Sequence, residues 1–242
     1  MIEQDLAGAF ALVTGGTSGI GRATGAALAA RGARILLVGR SSERTASVLE
    51  ELSASGAGHR AIAGDLTSTA FLTVLAEQAL QWSQARLSIL VLSAGHHEPA
   101  RIEQTSAASF DAAIATNLRA PFLLTAGLLP ALRATRGHIV LVNSSVVNNP
   151  RAGTAAYAAS KAALRTFADC LRAEVSGDGI TVLSVFPGRT ATPMQRERYE
   201  REGLDYRPEL LLQPDDVAAA VLAALGSRGE VTELHLRPLH KG

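Results

Sequence analysis

Along the 242-residue chain, short runs of adjacent apolar residues alternate with longer stretches in which apolar positions recur at helical spacing. The runs Phe10–Val13, Ile35–Val38, Arg60–Ala63, Ile89–Leu92, Ile139–Val142, Thr181–Phe186 and Thr232–Leu236 predict strands. Helices are predicted near Ile20–Ala30, Glu43–Leu52, Ala70–Gln81, Ala107–Leu132, Ala155–Val175 and Asp215–Leu225. The strand runs are nearly continuous in apolar residues instead of alternating, as in strands covered on both faces. Strand and helix taking turns build βαβ units. The predicted architecture is therefore α/β, a doubly wound, seven-stranded parallel sheet flanked by helices on both faces. One stretch breaks the rhythm: Arg189–Gln213 is a polar excursion of about 25 residues after the sixth strand. Ligands of open α/β sheets bind beyond the carboxyl ends of the strands, so this excursion is predicted to form a small lid. A disordered surface loop is the alternative.

A length of 242 residues with 47% hydrophobic content suits one large core, and hence one domain over 1–242 with the lid at about 189–213. A net charge of +1 and 19% charged residues offer no face for nucleic acid or a membrane surface. The arginines between Arg189 and Arg207 are interleaved with Glu197, Glu200, Glu202 and Asp205, as on a solvated helix. Cys170 is the one cysteine, which excludes an intrachain disulfide, and its apolar surroundings predict a buried, inert thiol. The N-terminal residues lack the basic and apolar regions of a signal peptide. No apolar run approaches the ~18–20 residues that span a bilayer. A cytoplasmic protein is expected.

Directly after the first predicted strand comes Thr14-Gly-Gly-Thr-Ser-Gly-Ile-Gly21. A helix N-terminus presents unpaired N–H groups and a partial positive charge, which suit a pyrophosphate. Gly15, Gly19 and Gly21 fall where the chain turns sharply or where a side chain would block the phosphate; a purely structural turn would also explain them. The second strand ends Leu37-Val38-Gly39-Arg40, without the acid that would bond an adenosine ribose. Arg40 follows instead, and its planar guanidinium suits a 2′-phosphate, so NADP(H) is predicted ahead of NAD(H).

Further on, Tyr157 and Lys161 stand four residues apart on one helical face. A free phenol with a pKa of ~10 exchanges protons poorly near neutrality, and a nearby ammonium lowers that value. A fall of ~3 units takes about 4 kcal/mol, which Lys161 and an oxidised nicotinamide can supply in a shielded cleft. Tyr157 is thus predicted as an acid/base tuned by Lys161, against the plainer reading of a surface pair. His96-His97-Glu98 lacks the usual ligand spacing, and no metal is predicted.

The glycine spacing T-G-x-x-x-G-x-G and the string Ala155-Ala-Tyr-Ala-Ala-Ser-Lys-Ala-Ala-Leu resemble the short-chain dehydrogenase/reductase family, specifically its short single-domain branch. The resemblance runs from about Ala9 to Pro238. It implies a Rossmann fold and an oxidoreductase that moves a hydride between nicotinamide and a carbonyl or secondary alcohol. It assigns Thr17, Ser18 and Ile20 to the cofactor loop, places Arg40 and Ser41 at the 2′-phosphate, and brings Asp65 and Leu66 to the adenine. Ser93, Ala94 and Gly95 stand where relatives usually read N-N-A-G. The family's catalytic serine lies thirteen residues before the tyrosine and seven after the glycine opening its strand; counts from Tyr157 and from Gly137 both give Ser144 over the adjacent Ser145. Asn117, following Thr116 at the cofactor, matches the family's asparagine, whose helix region holds a water linking Lys161 to solvent. Lys161 would also hold the nicotinamide ribose, and Pro187, Gly188, Thr190 and Thr192 would flank the carboxamide.

By the same resemblance the partners are a small-molecule substrate and further copies of the chain, as a homodimer or homotetramer. An NADP-binding sensor or scaffold is one rival, opposed by four intact catalytic positions. A sugar-nucleotide epimerase of the extended branch is another, opposed by the roughly 50 residues that follow Gly188. In the excursion, Met194, Tyr199, Leu204 and Tyr206 point to an apolar substrate pocket.

Overall fold

The computed structural model describes residues 5–54, 56 and 58–239. Seven strands, β1 (Phe10–Thr14), β2 (Arg34–Gly39), β3 (Arg60–Ala63), β4 (Ile89–Leu92), β5 (His138–Val142), β6 (Thr181–Pro187) and β7 (Glu233–Leu236), form one sheet in the order β3-β2-β1-β4-β5-β6-β7. Every neighbouring pair is parallel. Eight helices cover it: α1 (Gly19–Ala29), α2 (Ser42–Ser53), α3 (Thr69–Trp82), α4 (Ala107–Ile114), α5 (Ala120–Arg133), α6 (Ala155–Val175), α7 (Pro193–Arg201) and α8 (Pro214–Leu225).

Consecutive strand residues point to opposite faces, so each apolar run feeds two cores. Leu12, Leu36, Leu90 and Leu141 pack under α3, α5 and α6 through Leu75, Leu128 and Leu164. Their neighbours Val13, Leu37, Val91 and Val140 pack under α1, α2 and α8 through Leu28, Val48 and Val221. The chain runs outward from β1 to β2 and β3, then returns to lay β4 on the other side of β1. That reversal opens a crevice beyond the strands' carboxyl ends.

The structure refines or corrects the sequence-based expectations at four places. The predicted helix over 107–132 is interrupted by a π turn at Ala115–Arg119, where the Ala120 N–H reaches back to the Ala115 carbonyl. Pro121 has no N–H to give to residue 117, and its ring crowds that carbonyl, so the helix widens there. By length and composition Ala107–Arg133 is apolar enough to span a bilayer, contrary to expectation; its Leu124, Leu128 and Leu132 are buried in the core. The excursion after β6 is folded: its ends are joined by hydrogen bonds from the Ala191 N–H to the Leu212 carbonyl and from the Leu212 N–H to the Arg189 carbonyl, at 2.8 and 3.0 Å, and α7 lies between them. Cys170 is exposed, not buried, because it falls on the outer side of α6 while Leu164, Ala168 and Leu171 take the inner side.

Candidate active site

The carboxyl ends of the strands open into one cavity of about 990 Å³. Its floor at β1 is the glycine turn. Gly15 has φ +65, and a Cβ there would stand 2.8 Å from the Ala94 backbone. A Cβ on Gly21 would strike the Gly15 carbonyl, so the turn and α1 close on each other only with glycine at both places. Ser18 occupies the N-cap of α1 yet makes no capping bond, which leaves the first-turn N–H groups to an anion. The turn after β4 is braced by Thr14, whose Oγ1 accepts from the Ser93 and Ala94 N–H groups at 3.1 and 3.3 Å. The expected asparagines of that turn are thus replaced by a threonine on the neighbouring strand.

At the far end, Arg40 is exposed beside Asp65, whose carboxyl is held below its usual range by hydrogen bonds from Thr67 and, more weakly, by Arg40. Ser41 caps α2, accepting from the Arg44 N–H at 3.3 Å. A Cβ on Gly39 would run into the Thr17 side chain, which already fills the place of an acid at the end of β2.

Of the residues named from the sequence, Gly15, Thr17, Ser18, Gly19, Ile20, Arg40, Asp65, Leu66, Ser93, Ala94, Gly95, Thr116, Ser144, Tyr157, Lys161, Pro187, Gly188, Thr190 and Thr192 line the cavity. Gly21, Ser41 and Asn117 stand behind it. Asn117 sits in the π turn, fully buried, and accepts from the His96 N–H at 2.7 Å. Its Nδ2 donates to the His96 carbonyl and to Ser160 Oγ, both at 2.9 Å. It clamps the loop after β4 to α6 and does not bond its own helix.

The Ser144 hydroxyl lies close enough to Tyr157 to favour its phenolate, and Ser144 has extended backbone just past the end of β5. Lys161 is 3% exposed and donates from Nζ to the Val142 carbonyl at 2.7 Å. Its ammonium stands 5.9 Å from the centre of the Tyr157 ring. Burial pushes the Tyr157 phenol above its ordinary value, only partly offset by Ser144, and pulls Lys161 down to about 8. Without a nicotinamide's charge, Lys161 does not lower Tyr157: the ammonium is turned to Val142, and desolvation of the phenolate dominates.

Several lining residues carried no signal of their own in the sequence. His97 lies against Tyr157, ring centres 4.5 Å apart and tilted by 60°. Burial, then the charges of Arg198, His96 and Arg201, hold its pKa down to about 4. Asn143 is 2% exposed; its Oδ1 accepts from the Ser144 N–H at 2.9 Å, while its Nδ2 has no partner among the described residues. A buried donor left open at a cavity wall marks a place for a ligand's acceptor. Both residues follow strand ends at the crevice, which is the one feature by which their position was foreseeable. Of the four lid residues expected to make the pocket apolar, Met194 alone lines it; Leu204 is 53% exposed, and Tyr199 and Tyr206 pack edge-to-face on each other.

The glycine cradle, the open α1 N-terminus and Arg40 fit a phosphorylated dinucleotide. The sequence matches the short chain dehydrogenase family over residues 9–203. It is 34% identical over 232 residues to Dehydrogenase/reductase SDR family member 7B of Bos taurus, covering 91% of this chain and 71% of that one. It is 36% identical over 202 residues to an NADPH-dependent aldehyde reductase-like chloroplastic protein of Arabidopsis thaliana, covering 78% and 75%. A short chain dehydrogenase from Burkholderia cenocepacia, solved in complex with NADP, superposes with a TM-score of 0.83 at 31% identity over 97% of this chain and 98% of that one. Sequence and fold agree along nearly the whole length, and the chain is an oxidoreductase of the short-chain dehydrogenase/reductase family.

Proposed function

We propose that this protein reduces a ketone or aldehyde with NADPH, or oxidises the matching alcohol with NADP. The observation that carries this reading is that Tyr157, Ser144 and the buried Lys161 line one wall of the glycine-cradled cleft. When bound, the dinucleotide supplies or accepts the hydride at the substrate carbon. Tyr157 handles the proton at the substrate oxygen. Its raised pKa keeps it a protonated phenol at neutral pH, the state that a carbonyl reduction uses. Ser144, held by its backbone bond to Asn143, donates to the same oxygen and fixes its distance from the phenol. Lys161, tied to the end of β5, supplies positive charge under the tyrosine and a donor for the nicotinamide ribose.

Arg40, lining the cavity just past the end of β2, favours a 2′-phosphate, and the NADP bound in the Burkholderia cenocepacia relative supports the same preference. In this reading one domain carries the whole reaction, with 189–213 as its lid. The test follows NADPH absorbance against a panel of carbonyl compounds. Tyr157→Phe is expected to retain NADPH binding and lose ~100-fold or more in rate, the low end for a general acid. A variant with near-wild-type turnover would remove Tyr157 from the reaction.

A further inference from the structure

Beyond Tyr157, the cavity wall is polar. Asn148, Asn149 and Arg151 come from the loop after β5, His97 from the loop after β4, and Gln195 and Arg198 from α7. Val146 and Met194 are the apolar side chains among them. No carboxylate lines this end among the described residues; the one lining the cavity, Asp65, lies at the Arg40 end. Arg198 is paired outside the cavity with Glu202, at 2.7 and 3.3 Å. Arg151 is different. Its backbone is pinned to the start of α6, with the Arg151 N–H donating to Thr154 Oγ1 at 3.2 Å and that hydroxyl donating to the Arg151 carbonyl at 2.7 Å. No ion pair among the described residues includes Arg151. In the same cavity, Gln195 has a buried Nε2 without a partner among the described residues. A buried donor is costly when left unpaired. A guanidinium without an ion-pair partner, on an anchored backbone, together with an open amide donor suits an acceptor-rich anion.

We propose that the substrate is a carbonyl compound bearing an acidic oxygen group, a carboxylate or phosphate monoester, received by Arg151 and Gln195. The inference rests on the carbonyl-reductase reading above. The acidic group takes no part in the redox step; it orients the carbonyl towards Tyr157. The depressed pKa of His97 agrees with a positive field here, since Arg198 and Arg201 contribute to it. Neutral at working pH, His97 walls the phenol without drawing the anion to itself.

The test pairs each acid with a neutral twin: levulinate and its longer keto-acid homologues with their methyl esters, and dihydroxyacetone phosphate with dihydroxyacetone. Wild-type kcat/KM is expected to favour an acid over its twin by about tenfold or more, the range of one charge-assisted bond. The keto-acid and phosphate arms tell which group is preferred. Arg151→Gln should remove most of that preference through KM, Arg151→Lys should restore part of it, and Arg101→Gln, outside the cleft, should leave it intact. Calorimetric titration of the same pairs into NADP-loaded protein reads binding alone. Neutral twins bound and turned over as well as the acids, or a preference that survives Arg151→Gln, would overturn the inference. If no compound is turned over while the acids still bind in an Arg151-dependent way, the carbonyl-reductase reading fails and the anion site stands; if they bind no better than their twins, the site falls as well.

Discussion

A phenol that burial makes a weaker acid has a measurable signature. The Tyr157 pKa is raised, so the proton is held through the neutral range and lost only in strong base. Alcohol oxidation needs the phenolate, and its kcat/KM is expected to climb about tenfold per pH unit from ~7 to ~9. Carbonyl reduction, which uses the phenol, should show no such climb. Oxidation that is level across this range would mean the pKa lies below it, as the sequence alone suggested. The spacing of Tyr157 and Lys161 was legible because four residues make one helical turn; the direction in which Lys161 points was not, because the Val142 carbonyl that takes it belongs to another strand. The same limit applies at Gly39. The absent acid is plain in the sequence, but the Thr17 methyl that fills its place is not. Gly39→Asp alone should therefore weaken both NADPH and NADH, and Thr17→Gly/Gly39→Asp should bind NADH more tightly than the wild type. Fluorescence titration checks both, and a single Gly39→Asp variant with improved NADH affinity would contradict the close contact.

Among the elements, the best-predicted were those whose apolar periodicity is complete. The strands and α1, α2, α3 and α6 appear within a few residues of their expected bounds. The π turn was hidden because the residues around it stay apolar, and only Pro121 disturbs the pattern. α7 showed only as a solvated helix, from its interleaved charges: Pro193–Arg201 has no buried residue, so no periodic apolar stripe sets its bounds. The π turn matters because it presents Asn117 to the His96 backbone. Asn117→Ala would leave the His96 N–H and carbonyl without that partner, at ~1–3 kcal/mol for each group that stays unpaired. Chemical denaturation is expected to show a loss of about 2 kcal/mol or more. Activity should fall with it, since the loop that carries His97 past Tyr157 is the one released. Unchanged stability would make the clamp dispensable.

Across the whole molecule, the parallel sheet and its two cores were readable from alternation, since each apolar run has to be covered twice; the strand order was not, because it is set by where each crossover lands. What the pattern could not carry is the chemistry of the cleft's outer end, where polar side chains from three separate loops meet. That end also differs in how it is attached. The segment from Ala191 to Leu211 leaves and re-enters the fold at one point, where Thr190 and Leu212 lie side by side. Its roots are tied to the fold on both sides: Thr192 stands beside Gly19, and the Gln213 amide at the start of α8 donates to the Pro208 and Leu211 carbonyls. Between those roots the excursion is an exchangeable cassette on a fixed chassis: the stretch from Met194 to Arg207 can diverge in length and lining, by insertion or by grafting, while Thr192 stays beside Gly19 of the dinucleotide cradle. Selectivity for new compounds in this lineage is free to evolve by replacing one closed loop, while the chemistry underneath stays unchanged.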